Sequence, residues 1–109
     1  MPKYLTLFSF KGETLGALVQ NPSDREAVVR RLAESVGGSL EAYYLMFGQY
    51  DGCVIMDAPD STACAAAIVA VGSTGAFAHL ETHELLTAGQ FIEILDKAKS
   101  IARYTPPGS

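Results

Sequence analysis

Two histidines and a carboxylate stand at alternate positions in Phe77-Ala78-His79-Leu80-Glu81-Thr82-His83. In a strand, the period of two puts His79, Glu81 and His83 on one face and Ala78, Leu80 and Thr82 on the other. Imidazole titrates near neutrality, so either histidine suits general acid–base work. By ligand type the same trio suits Zn²⁺ or Fe²⁺. Geometry weighs against the ion: same-face neighbours start about 6.5–7 Å apart, and the two histidines about 13 Å apart, on a straight strand. A bulge or a second strand would have to supply convergence. The plain alternative is a polar cleft lining in which Glu81 accepts a hydrogen bond from one histidine.

Tyr50 and Asp51 form a second candidate. Read functionally, the phenol donates to a ligand while the carboxylate orients it or acts as base. Read structurally, Asp51 accepts backbone N–H groups of a turn and Tyr50 packs its ring. Tyr4 and Phe8, with Tyr43, Tyr44 and Phe47, either line an aromatic pocket on a sheet or fill a core or interface. The resulting candidates are Tyr50, His79 and His83 for catalysis, and Tyr4, Phe8, Tyr50, Asp51 and Glu81 for ligand binding. His79, Glu81 and His83 are the alternative metal set. Gly72-Ser73-Thr74-Gly75 reads as a turn, because it lacks the lysine of a phosphate loop and follows a helix instead of opening one. Cys53 and Cys64 fit no ligand cluster and are expected as reduced thiols without a nucleophilic role.

The elements that must position these groups follow from pattern. Residues 3–10 alternate as a strand, and 11–22 read as a connection in which Leu15, Leu18 and Val19 allow a short helical turn. A helix follows, capped by Asn21 or Ser23 with Ser23-x-x-Glu26 as a capping box, its stripe Val28, Leu32 and Val36, its end at Gly37-Gly38. Residues 39–47 and 51–58 are strands joined at Gly48 by a tight hairpin. Asp60 caps an alanine-rich helix over 62–71. A fourth strand spans 76–86, and Thr87-x-x-Gln90 opens a helix with Phe91, Ile94, Leu95, Ala98 and Ile101 on one stripe. Residues 1–103 thus form one domain, with 104–109 a loose tail.

The order β-α-β-β-α-β plus a C-terminal helix is the α+β, ferredoxin-like pattern: an antiparallel sheet with helices on one face. The other face should then be polar, yet Leu5, Leu7 and Tyr43, Leu45 and Phe47 alternate with an equally apolar set. A patch of that size is unusual on a monomer, so a homo-oligomer is expected, dimer at least.

Size and composition agree. The chain has 109 residues, 49% hydrophobic and 18% charged, against a usual charged share of about 25%. A chain this long buries roughly 65% of its unfolded surface, enough for one core. Mean hydropathy is +0.18, the opposite of a disordered chain. The net charge of -4 and scattered Lys and Arg exclude the basic face that nucleic acid needs. The longest apolar run, 63–71, is about half the ~20 residues of a membrane span, and the N-terminus lacks a signal-peptide pattern. No membrane partner and a cytoplasmic location are expected.

Gly48-Gln49-Tyr50-Asp51, followed after an apolar strand by Ala58-Pro59-Asp60, resembles the GYD-domain family of small bacterial and archaeal proteins. Supporting stretches are Pro2-Lys3-Tyr4, Gly37-Gly38, Gly72-Ser73 and Glu81-Thr82, and the resemblance spans about residues 2–95. It implies a ferredoxin-like fold of the dimeric α/β-barrel type, with two sheets face to face. The family brings no established activity. Its wider fold relatives include cofactor-less monooxygenases, lactone isomerases and haem-handling enzymes, an analogy of fold alone. His79 and His83 depart from the family's usual last strand. The expectation is a self-associating small-molecule binder with a cleft on the sheet face, needing no cofactor and acting like the cofactor-less isomerases or monooxygenases if it turns over substrate. The alternatives are a non-catalytic metabolite-binding or interaction module, and a metal-binding protein.

Overall fold

Segments rich in apolar and aromatic residues build four strands, β1 (Lys3–Phe10), β2 (Ser39–Leu45), β3 (Gly52–Asp57) and β4 (Phe77–Leu85), in the computed structural model, which describes residues 1–108. They form one antiparallel sheet in the order β2-β3-β1-β4. The even-numbered residues of β1 and β3 face inward: Tyr4, Phe8, Val54 and Met56, with Leu40, are buried beneath Val29, Ala33 and the C-cap Val36 of one helix and Ala63, Cys64 and Ile68 of another. These helices are α2 (Arg25–Ser35) and α3 (Ser61–Gly72). Both lie on one face of the sheet, the ferredoxin-like arrangement that the element order predicts.

The barrel-type assembly does not hold. The sheet is open: β2 and β4 are its two edges, and no ladder joins them. Four strands are too few to close, since even a narrow barrel with a filled interior takes about eight.

Other differences are local. The 11–22 connection contains a full helix, α1 (Gly12–Gln20). Gly12 and Gly16 lower its propensity, but the Lys11 N–H and the Thr14 hydroxyl both donate to the Ala76 carbonyl and fix it to the start of β4. The cap of α2 is Asp24, which accepts from the Ala27 N–H at 3.2 Å, not Asn21 or Ser23. Glu26 therefore closes no capping box and instead pairs with Arg30 at 3.1 Å. Val36 of the expected stripe packs against the core, but its companions there are Val29 and Ala33, and Val28 is exposed. Met46 and Phe47 leave the β2–β3 ladder, so the hairpin loop is longer than a tight turn. Asp60 and the Thr87–Gln90 box cap their helices as expected.

A bulge at Glu41 matters more. Leu40 pairs with Met56 but Ala42 with Ile55, so parity along β2 flips. Tyr43 then turns inward to stack on Phe8 at 6.0 Å, while Ala42 and Tyr44 join the helix-free face. Strict alternation had put Tyr43 and Tyr44 the other way round.

The last helix, α4 (Ala88–Lys99), buries no residue and barely touches any other element. Phe91, Ile92, Ile94 and Leu95 on it are all exposed. The radius of gyration is accordingly 17.6 Å, against about 13 Å for a compact chain of this length. Residues 104–108 carry no helix or strand, and Ser109 lies outside the described residues.

Candidate functional site

The register of β4 on β1 sets the cluster. His83 lies opposite Leu5, Glu81 opposite Leu7 and His79 opposite Ser9. All six face away from the helices, because their neighbours Tyr4, Thr6 and Phe8 are buried beneath them. On the other side of β1, Leu5 meets Ile55 and Leu7 meets Cys53. The helix-free face therefore has a half-buried apolar floor of Leu5, Leu7 and Ile55. The His–Glu–His row borders it along β4. Its far end carries Lys3, bound to Asp57 at 3.0 Å and to Glu41 at 3.1 Å.

Glu81 is the hub of the row. Its Oε2 lies 2.7 Å from His83 Nε2, and its Oε1 lies 3.3 Å from His79 Nε2 and 3.0 Å from the Tyr50 hydroxyl that donates to it. The hydrogen bonds from His83, His79 and Tyr50, in that order, hold its carboxyl at a pKa of about 2. The same carboxylate pushes the Tyr50 phenol up. An ionised carboxylate can only accept, so both rings present Nε2–H to it. On a neutral ring that leaves Nδ1 as an acceptor, and neither Nδ1 has a protein partner among the described residues. The Tyr50 ring leans over His79 at 5.7 Å between centroids.

Tyr50 reaches across the sheet because its loop is tied to β1. The Asp51 N–H donates to Phe8 O, Asp51 Oδ2 accepts from the Phe10 N–H at 2.8 Å, and the Ser9 hydroxyl donates to Gln49 O. The Asp51 side chain is thus bonded to the neighbouring strand, while its backbone carbonyl accepts from the Met46 N–H across its own loop. Gly48 turns the loop with φ +129°, a conformation that favours glycine. Gly52 is required by close approach, since a Cβ there would run into the Phe8 ring and sit 2.8 Å from Tyr44 O.

The structure thus unites Tyr50, His79, Glu81 and His83, with Asp51 supporting them. Tyr4 and Phe8 do not join: each is 4% exposed and lies in the core on the opposite face. Tyr43 is also on that face, and Phe47 is fully exposed on the β2–β3 loop. The apolar floor under the cluster was missing from the candidate residues, although the odd-numbered alternation of β1 marks it. Cys53 and Cys64 are free thiols on opposite faces, and burial pushes the Cys64 thiol up. Among the described residues no group of three or more His, Cys, Asp or Glu side chains is arranged to hold a metal ion. Each histidine bonds a separate Glu81 oxygen, which argues against the metal reading.

Among the described residues no helix is long and apolar enough to cross a membrane. No curated protein and no solved structure matches the chain significantly. The family profile described as GYD domain matches residues 4–95, which include all four strands and the whole cluster. The chain belongs to the GYD-domain family.

Proposed function

We propose that the helix-free face of the sheet binds a small, largely apolar molecule bearing a hydroxyl group, such as a phenol or quinol. The observation that carries this reading is the orientation of the two imidazoles. With both Nε2–H groups committed to Glu81, two Nδ1 acceptors border a floor of Leu5, Leu7 and Ile55. A few fixed polar groups beside an apolar surface are the usual makings of a small-molecule site. A neutral Nδ1 accepts a ligand O–H, and the same nitrogen is the atom that would take its proton in a reaction. Tyr50 donates to Glu81 and keeps its oxygen lone pairs for the ligand.

Self-association is part of the same proposal. Apolar side chains stand exposed on α4, and Tyr44, Leu45 and Phe47 stand exposed at the tip of the β2–β3 hairpin. Such surface is characteristic of interfaces.

Titration of protein carrying nitrogen-labelled histidine with 2-naphthol and with hydroquinone tests the site. Binding is expected to move the Nδ1 signals of His79 and His83, and to be lost in the His79→Ala/His83→Ala double variant. Saturating probe that leaves those signals in place overturns the reading. Turnover of a bound probe, abolished by His83→Ala at unchanged stability, would mark an enzyme; binding without turnover would mark a non-catalytic module.

A further inference from the structure

A second site lies on the other face. Between α2, α3 and the sheet is a cavity of about 70 Å³, lined by Phe8, Val29, Val54, Ile68, Val71 and Leu80 among other apolar side chains. Interiors normally leave few voids larger than a water molecule, and a largely apolar cavity with a few placed polar groups is the usual form of a small-molecule site. The Thr6 hydroxyl, also in its wall, is already bonded to the Thr82 hydroxyl at 2.8 Å.

Its lining contains one cation, Arg25. Three observations set this residue apart. It forms no ion pair and donates no side-chain hydrogen bond among the described residues, whereas Arg30 one turn on is paired with Glu26. It is half-buried, although it carries a full charge. It is also the first residue of α2, where the helix dipole disfavours a positive charge and favours a negative one. Arg25 further lines two shallower clefts, one beneath α1 with Phe10 and Phe77, the other against β2 with Tyr43 and Tyr44. The guanidinium therefore stands where the interior cavity meets the surface. Tyr43 lines the cavity too, and its hydroxyl has no hydrogen-bond partner among the described residues.

We infer that this cavity binds a small monocarboxylate with a short branched apolar tail. The carboxylate pairs with Arg25, whose planar fork matches its two oxygens, and accepts from the Tyr43 hydroxyl. The tail fills the space between Ile68, Val54 and Leu80. Size sets the limit, since the cavity has about half the volume of the ~150 Å³ void that takes benzene. A long acyl chain does not fit. The inference is independent of the site proposed on the helix-free face, from which the sheet separates it.

The test is titration with isovalerate, with isovaleramide as the uncharged control, followed by methyl NMR and calorimetry. Saturable isovalerate binding is expected, with shifts at Val54, Ile68 and Leu80 and little binding of the amide. Arg25→Gln, at a position outside the close-packed core, should weaken binding at least about tenfold, the equivalent of about 1.4 kcal/mol. Absence of saturable binding overturns the inference, as does binding that Arg25→Gln leaves unchanged. Shifts confined to Leu5, Ile55 and the histidines also overturn it, because they place the ligand on the opposite face.

Discussion

His83 Nε2 and Glu81 Oε2 stand 2.7 Å apart on alternate positions of one edge strand. That bond is the shortest of the three that hold the Glu81 carboxyl at a pKa of about 2. Its pH dependence has a definite sign. A carboxyl held below its ordinary value of 4.5 adds stability above that value and loses it as pH falls through about 2. The stability difference between wild type and Glu81→Gln should therefore be constant above the ordinary value and shrink toward nothing near the lower one. Urea melts of both proteins across acid pH check this. A difference that does not change over the window refutes it.

Asp51 should be a stability residue that also sets Tyr50. Asp51→Ala leaves the Phe10 N–H without its acceptor, at a cost of about 1–3 kcal/mol. Asp51→Asn keeps an acceptor oxygen and should recover most of the loss. In the alanine variant the Tyr50 side chain should detach from Glu81, visible as a fall in the Tyr50 phenol's pKa.

Gly52→Ala should destabilise by about 1–3 kcal/mol through overpacking. A methyl at that position collides with the Phe8 ring and crowds Tyr44 O. Phe8→Leu in the same chain should return part of the loss, and the double-mutant cycle measures how much.

Thr87→Ala should act on α4 alone. The capping box is satisfied at 2.8 and 3.0 Å, and α4 has almost no tertiary contact to support it. Loss of the cap costs about 0.5–2 kcal/mol of helix stability. Amide exchange should accelerate over Ala88–Lys99 while the sheet keeps its protection.

Ile94→Glu should reduce self-association. Ile94 lies on the exposed stripe with Phe91 and Leu95, and a charge there favours solvent over burial against a second copy. Sedimentation should show wild type heavier than 11.6 kDa and the variant shifted toward that mass. Wild type sedimenting at 11.6 kDa at micromolar concentration removes the self-association half of the proposal.

Local chemistry alone made much of this chain legible. The period of two in Lys3–Phe10 and Phe77–Leu85, the Asp60 cap and the Thr87–Gln90 box are all contained in a few consecutive residues, so they were readable without the fold. The same is true of His79, Glu81 and His83 sharing a face. Whatever depends on partners distant in sequence was not readable. The bulge at Glu41 that exchanges Tyr43 and Tyr44 is a property of the β2–β3 pairing, and helix α1 is held by a carbonyl at Ala76. Tyr4 and Phe8 went to the core because α2 and α3 cover the even-numbered face of β1, a choice that alternation leaves open between two apolar faces. The closed barrel failed on edges, which only strand order reveals. Tyr50 joined Glu81 across 31 residues, and Arg25 came to the rim of a cavity through the packing of two helices. Periodicity and capping are short-range effects of backbone geometry and hydrogen bonding; faces, cavities and long-range pairs are decided when whole elements meet and exclude water between them.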